Sequence, residues 1–447
     1  MTASPTLERL DAADVRAGEP QVHVVALEAL GAADAGVALP REPYVTVLVP
    51  AHDEGDQIAA TLEGLRRQTL RPTRVVVVAD NCSDDTVAIA RAAGAEVFET
   101  VGNTAKKAGA LNQAWSLRFR RVAEGDRRDG ERRAADRRTV SGTVRGPERR
   151  AQDRRADDDR RGPDGDRRSD STGRPDAADD DLVLVQDADS SLDEGFLEGA
   201  ATHVRADDRL GAVGGTFRGD PGGGLVGHLQ RNEYARYARD VRRLKGKCLV
   251  VTGTAAMFRA ATLRRISEAR LDGRVPRGDG AGGIYDTTVL TEDNELTFAI
   301  LHLGYQVLSP KECTLTTEVM PTWRALWNQR LRWKRGAIEN CVQYGVTRVT
   351  WRYWGRQLLT FAGVVVTFLY LGSLAASLLS SGHVKVQPFW LAVTGVFVVE
   401  RVVTVRDRGW RHMVAAATMY ELLYDVFLQL VHAKAYPDAA LRRERRW

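Results

Sequence analysis

The chain has 447 residues, 43% of them hydrophobic and 28% charged, which allows two or three domains and a sizeable core. Lys and Arg number 64 against 59 Asp and Glu, so the formal charge is only +5, too balanced for a general nucleic-acid binder of this size. The four cysteines, Cys82, Cys248, Cys313 and Cys341, lie far apart, which excludes zinc-ligand spacing and a disulfide framework and fits reduced thiols.

Residues 1–43 are rich in Ala, Asp and Glu, with no basic stretch followed by an apolar one, and read as a mobile leader without a secretory signal. Val45-Thr46-Val47-Leu48-Val49-Pro50 is a short apolar run ended by a breaker, the pattern of a buried strand. Ile58, Leu62 and Leu65 then recur at helical spacing between Gly55 and Gln68. Val75 to Val78 predicts a second strand, Asp84 to Ala93 a helix with Ser83 or Asp84 as N-cap, and Ala95 to Phe98 a third strand. This alternation predicts right-handed βαβ units, a mostly parallel sheet and an α/β fold. Active sites of such sheets lie beyond the carboxyl ends of the strands.

Residues 118–181 break the pattern, with 19 Arg and 17 Asp or Glu in 64 positions. Short units repeat: Glu131-Arg132-Arg133-Ala134-Ala135-Asp136-Arg137-Arg138, then Glu148-Arg149-Arg150-Ala151-Gln152-Asp153-Arg154-Arg155. With almost no aromatic or branched apolar residue, the stretch cannot bury enough surface to offset its ordering entropy. The segment 120–180 is therefore predicted to be a disordered polyampholyte inserted in a surface loop. An electrostatic docking arm is the functional alternative, and the near-balanced charge argues against it.

The sheet resumes at Leu182-Val183-Leu184-Val185. Leu249 to Thr252 predicts a strand, Thr291 to Leu303 a helix, Gln306 to Leu308 a strand, and Trp323 to Gly345 a long amphipathic helix whose Trp and Arg suit a bilayer interface. Leu358 to Leu379 carries no charge over 22 residues, enough at about 1.5 Å per residue to span ~30 Å of hydrocarbon. A second apolar segment, Pro388 to Val405, is shortened by Glu400 and Arg401, and a third, Met413 to Ala433, carries Glu421 and Asp425. Basic residues flank these segments at Arg348, Arg352 and Arg356, in the 406–412 loop, and at Arg442, Arg443, Arg445 and Arg446. Two crossings plus an interfacial or re-entrant third segment put all of them on the cytoplasmic side.

Three strand ends present carboxylates: His52-Asp53-Glu54, Asp80-Asn81-Cys82-Ser83-Asp84-Asp85, and Asp187-Ala188-Asp189. Like charges crowded in this way persist when a cation or hydrogen-bond donors compensate them, and Asp-x-Asp suits a hard divalent cation whose shell is completed by phosphate oxygens. Any one cluster is also ordinary loop chemistry; three at corresponding positions point to a site. Lys107, near a helix start, can meet a diphosphate. No Gly-x-Gly-x-x-Gly follows a strand and no P-loop sequence is present, which excludes those nucleotide-binding classes. The eight His form no spaced group and read as surface or core residues.

Asp53-Glu54, Asp80, the Lys107-Ala-Gly-Ala-Leu-Asn112 stretch, Asp187-Ala-Asp189, Thr291-Glu292-Asp293 and Gln329-Arg-Leu-Arg332-Trp333 fall in the order seen in family 2 glycosyltransferases. The chain resembles their membrane-embedded processive branch, the cellulose, hyaluronan and poly-N-acetylglucosamine synthases, from about Tyr44 to Gly345 without the insert. Gln-x-x-Arg-Trp is the specific motif; the first four occur across many nucleotide-sugar transferases. The resemblance implies a GT-A-like, Rossmann-type fold followed by interfacial and transmembrane helices. It also implies inverting, metal-dependent transfer from a UDP-sugar to a growing polysaccharide. By position, Asp53 or Glu54 and Asp80 would contact the uridine part, and Lys107 would face the diphosphate. Asp187 would hold the nucleotide side and, with Asp189, a Mg²⁺ or Mn²⁺ ion. Asp293 would be the general base, supported by Glu292. Gln329, Arg332 and Trp333 would line the acceptor site, with Gly253 in an acceptor loop. Blander readings stand beside these: Glu292 and Asp293 as first-turn helix acids, Trp333 as an interfacial anchor like Trp323 and Trp327, and Gly253 as a tight turn.

The implied partners are a UDP-sugar donor, a glycan or lipid-linked acceptor and membrane lipids, with no nucleic acid. The implied location is the inner or plasma membrane, multi-pass, with the catalytic domain cytoplasmic. The boundaries are a leader at 1–43, a GT-A domain at 44–320, interface helices at 321–356, a membrane region at 357–433 and a basic tail at 434–447. Transfer of a single sugar to a lipid carrier, and a catalytically silent glycan-binding scaffold, are the alternatives. Three departures from the family pattern are expected: no N-terminal transmembrane helix in residues 1–43, no cyclic-dinucleotide-binding domain after the membrane part, and the charged insert just before Asp187, where relatives have a short connection.

Overall fold

The computed structural model describes residues 43–119, 181–382 and 388–441. Residues 1–42 of the predicted leader, the charged insert at 120–180 and the arginines from Arg442 onward lie outside the described residues. β1 (Val45–Ala51) is buried at every position. Its alternate residues feed two cores. Leu48 packs with Val76, Leu111, Trp115 and Phe258 on one face; Val47 and Val49 pack with Val77, Ile58, Leu62 and Phe196 on the other. A strand covered on both faces needs no polar alternation, so an unbroken apolar run encodes it.

α1 (Ile58–Arg66), β2 (Arg74–Ala79), α2 (Thr86–Ala92), β3 (Glu96–Glu99) and α3 (Lys106–Phe119) follow, with β1, β2 and β3 parallel. α2 starts later than the sequence suggests. Asp85 occupies the N-cap position without a side-chain cap, and Asp84 accepts from the Thr86 amide at 3.0 Å. The α/β unit continues with β4 (Leu182–Gln186), β5 (Ser190–Leu192), α4 (Phe196–Ala206), β6 (Leu210–Gly214), β7 (Thr216–Gly219) and α5 (Gly224–Arg243). It closes with β8 (Ala255–Arg259), α6 (Ala260–Asp272), α7 (Glu292–His302), β9 (Gln306–Leu308) and β10 (Thr314–Thr317). The main sheet runs β3-β2-β1-β4-β8-β6-β9, and a small one runs β5-β10-β7. In the main sheet only β8 is antiparallel to its neighbours, so the sheet is mostly parallel as expected.

One strand is misplaced by the sequence reading. Leu249–Thr252 is not extended sheet; the strand is β8, a few residues later. Leu249 and Val250 pack instead on the Phe298, Cys341 and Tyr353 cluster, and the Tyr353 hydroxyl donates to the Leu249 carbonyl. The Val251 amide donates to Thr297 Oγ1 at 3.1 Å. Side chains of later helices satisfy this backbone, so apolar content alone misleads.

After the sheet come α8 (Trp323–Tyr344), α9 (Trp351–Ser381), α10 (Pro388–Thr404), α11 (Trp410–Ala417) and α12 (Leu422–Ala440). Among the described residues, α9 is long and apolar enough to cross a membrane by length and composition; α11 and α12, bent by 67° at a short break, pass that test only together. α9 leaves apolar residues uncovered, with Leu359 75% and Leu379 88% exposed. The charges interrupting the later apolar segments are partnered. Glu421 is 1% exposed and pairs with Arg236 of α5 and Arg401 of α10, each at 2.5 Å. Asn232 of α5 donates to it at 2.6 Å. Arg401 also reaches Asp425, and Arg239 of α5 pairs with Glu400 at 2.5 Å. The α/β unit thus supplies counterions to the C-terminal helices.

α6, α7 and α8 meet at a second buried pair. Arg270 and Glu295 lie 2.5 Å apart with side chains 1% and 0% exposed, and the Tyr344 hydroxyl donates to Glu295 at 2.6 Å. Removing one partner strands a buried charge. Arg270→Met should therefore destabilise the α/β unit by about 3–5 kcal/mol in denaturant titration, and Arg270→Met combined with Glu295→Met by clearly less.

Candidate active site

The ends of β1, β2 and β4 open onto one cleft of about 160 Å³, lined by His52, Glu54, Asp80, Lys107, Asp187 and Asp189 among others. The backbone is left-handed at Asp53 (φ 54°) and Asn81 (φ 51°), just past β1 and β2, and at Lys106 (φ 52°). Non-glycine residues hold this conformation uncommonly, and such positions cluster at functional sites. Of the two acids after β1, Glu54 lines the cleft and Asp53 does not. The Asp53 carboxylate accepts from the Ser83 amide at 2.6 Å, a bond that depresses its pKa and fixes the loop after β2. Asp80 Oδ1 accepts from Thr100 (2.7 Å), Asn103 (2.8 Å) and Asn81 (3.1 Å). α3 packs so closely here that a Cβ on Gly109 would stand 2.1 Å from Asn103 Oδ1. Glycine in the Lys107–Asn112 stretch therefore has a steric reason. Asn112 of that stretch bonds the Tyr285 backbone on both sides, at 2.8 and 2.9 Å.

From the first turn of α3, Lys107 reaches Asp187, the Gly253 carbonyl (3.0 Å) and Glu292 (3.6 Å). Burial alone would lower its pKa; the two carboxylates outweigh burial and raise it. Burial pushes Asp187 up to about 6 against the pull of Lys107. Burial, then Asp189 and Glu318, push Glu54 up to about 7. Asp189 is also raised, chiefly by burial. Glu54, Asp187, Asp189 and Glu318 make an anionic set of hard oxygens in excess of the Lys107 charge. That donor set fits a divalent cation completed by phosphate oxygens.

A smaller cavity of about 10 Å³, room for one water, is lined by Lys107, Thr252, Gly253, Tyr285, Glu292 and Asp293. Lys107 stands in the wall between the two cavities. α7 begins after Thr291, which puts Glu292 and Asp293 in its first turn, where the helix dipole favours carboxylates. Asp293 is also aimed: Oδ2 accepts from the Gly253 amide (3.2 Å) and Oδ1 from the Asn294 amide (2.8 Å). Burial, then repulsion from Glu292, push it up to about 6.

Gln329, Arg332, Gly336 and Asn340 share one face of α8 by their spacing. Buried Asn340 donates to the Thr291 carbonyl (3.1 Å) and hydroxyl (3.2 Å). A Cβ on Gly336 would stand 2.4 Å from Thr291 Oγ1. Arg332 donates to the Leu290 carbonyl at 3.4 Å, and its charge acts on Asp293. Gln329 accepts from Arg330 at 2.6 Å, and Trp333, 37% exposed, lies with its ring 4.4 Å from the Arg330 guanidinium. The structure thus brings Arg332 up to Asp293 through the Thr291 contact. Gln329 and Trp333 make their side-chain contacts with Arg330 instead.

A family model described as glycosyl transferase family group 2 matches residues 182–428, and one described as glycosyl transferase family 2 matches residues 46–117. The first covers more than half of the chain, which belongs to that family. Within it, a poly-β-1,6-N-acetyl-D-glucosamine synthase of Staphylococcus aureus is 25% identical over 201 residues, 43% of this chain and 45% of that protein. One from Staphylococcus epidermidis is 24% identical over 162 residues, 36% and 35% of the two chains. The chain therefore spans less than half the length of these curated relatives. A mannosyltransferase from Pyrobaculum calidifontis, solved with GDP-Man and Mn²⁺, is 17% identical, covers 90% of this chain and 89% of its own, and superposes with a TM-score of 0.52. That likeness shows the GT-A fold.

Two residues of the site escape the sequence analysis. Glu318 follows β10 and acts on Glu54 and Asp189; the available signal was an acid just past a strand, but Thr314–Thr317 is too short and polar to be read as one. Tyr285 sits in a glycine-rich loop that gives no periodic signal. The Thr291–Gly336 contact is the most demanding in the site. Gly336→Ala should push α8 off α7 and cut turnover by about a hundredfold. Nucleotide binding, read by calorimetry, should be unchanged.

Proposed function

We propose that the chain transfers a sugar from a UDP-sugar onto a growing glycan at a membrane surface, by one displacement that inverts the anomeric centre. The observation that carries this reading is the shared wall: Lys107 joins an acidic cleft at the strand ends to a cavity lined by Asp293. The naming of the staphylococcal relatives supports N-acetylglucosamine as the first sugar to try.

Glu54 and Asp80 contact the uridine part, and Asp53 serves by shaping the loop after β2. Lys107 turns from Asp187 toward the diphosphate. Asp187 and Asp189 would hold Mg²⁺ or Mn²⁺, which when bound supplies Lewis-acid neutralisation of the departing diphosphate. Asp293 takes the proton from the acceptor hydroxyl as its oxygen forms the bond to the anomeric carbon; the bond to the diphosphate breaks and UDP leaves. The Gly253 amide orients Asp293, and Arg332 favours its charged form. Gln329 and Trp333 contact the acceptor, Trp333 offering a flat apolar face to a sugar ring. In this reading residues 44–320 form the catalytic domain on the cytoplasmic side, 321–356 lie at the interface, and α9 anchors the chain in the cell membrane.

Asp293→Asn should abolish transfer while UDP still binds; turnover at the wild-type rate would refute the base assignment. A base must be unprotonated, so kcat/KM for UDP release should fall as pH drops through about 6, well above the ordinary aspartate range. Chelation should stop transfer, and added Mg²⁺ or Mn²⁺ should restore it. Product length read on a gel separates polymer synthesis from single-sugar transfer.

A further inference from the structure

Arg330, the second residue of the Gln329–Trp333 motif, has no part in the chemistry above, yet it is buried and held on several sides. Its side chain is 6% exposed and pairs with Glu233 of α5 at 2.8 Å. The same guanidinium donates to Gln329 Oε1 at 2.6 Å and lies over the Trp333 ring, 4.4 Å from its centroid. Glu233 in turn accepts from the Tyr424 hydroxyl of α12 at 2.5 Å. Burial raises the Glu233 pKa and Arg330 outweighs it, so the carboxyl stays ionised. Tyr424 is fully buried, packed with Leu326 of α8 and with Val226 and Leu229 of α5. One planar cation thus touches two acceptor residues, and its counterion is fixed by the last helix.

We infer that Arg330 is a positioning residue of the acceptor site, locked by Glu233 and Tyr424, so that Gln329 and Trp333 are presented only while α12 is seated on the catalytic unit. This rests on the reading of Gln329 and Trp333 as acceptor contacts. A guanidinium can stack on a ring and donate sideways in two directions at once; an ammonium cannot, so lysine does not replace it. With Arg330 against one face, Trp333 has only its other face for a sugar. The donor cleft is lined from the ends of β1, β2 and β4 and by α3, whereas Arg330 is held by Glu233 and Tyr234 of α5 and by its own helix neighbours. Loss of the lock should therefore loosen acceptor binding and spare the donor side.

The test uses the full chain in detergent with UDP-N-acetylglucosamine as donor and a β-1,6-linked N-acetylglucosamine oligosaccharide as acceptor. Arg330→Met and Arg330→Lys should each raise the acceptor KM by about tenfold, and Tyr424→Phe by a smaller factor. The donor KM and acceptor-free UDP release should stay within about twofold of wild type. An unchanged acceptor KM, or an equal fall in donor hydrolysis, overturns the inference. A second readout needs no turnover: acrylamide quenching of the Trp333 fluorescence, taken as wild type minus Trp333→Phe, should increase in Arg330→Met and Tyr424→Phe. Unchanged quenching overturns the positioning role. A wild-type protein that releases no UDP from any donor refutes the glycosyl-transfer reading instead, and the quenching still decides the role of Arg330.

Discussion

The contact of the Lys107 ammonium with Asp187, 3.6 Å from Glu292, is the constraint on which the site depends. Parallel strands bring their carboxyl ends to one edge, and here those ends carry acids from β1, β2 and β4. Their repulsion would open that edge unless a cation stood among them. Lys107 does so from a helix whose approach is fixed elsewhere, by Gly109 against Asn103 and by Asn112 on the Tyr285 backbone. Because the same ammonium touches the Gly253 carbonyl, it also ties the acidic cleft to the loop whose amide bonds Asp293.

α8 divides its labour by face. One face, with Gly336 and Asn340, is pressed on Thr291 and sets Arg332 beside Asp293. Another, with Arg330, is pressed on α5 and α12. The surroundings of Asp293 and the placing of Gln329 and Trp333 are thus set by one rigid rod, each adjusted by a different neighbour. A helix serves this purpose better than a loop because its residues keep their spacing when either neighbour moves.

Much of the frame is legible in the sequence because it depends on local pattern. The runs at Val45, Val75 and Leu182 can only be strands covered on both sides, and acids at their ends follow from the chain direction. Leu249–Thr252 fails for the opposite reason: its partners, Thr297 and Tyr353, lie far along the chain, and only the fold shows that they replace a sheet neighbour. The same holds for Asp53 and Glu54, adjacent acids of one type that the turn after β1 sends to different places. Arg330 reads as one more basic residue on an amphipathic helix until Glu233 is seen across from it. The charges at Glu400, Arg401, Glu421 and Asp425 read as flaws in apolar segments, whereas they are half of an ionic set whose other half lies on α5.

That ionic set bears on how the chain is assembled. Unpaired charges are costly to bury, so the segment from α10 to α12 has no comfortable place until Arg236 and Arg239 are in position. These arginines lie on α5, well before it in the sequence, and leave the ribosome first. The α/β unit can therefore serve as the template on which the C-terminal helices are received, and a chain whose α5 had failed to fold would carry a tail whose acids lack these counterions. Built this way, the protein can close its C-terminal helices only onto an α/β unit that is already sound.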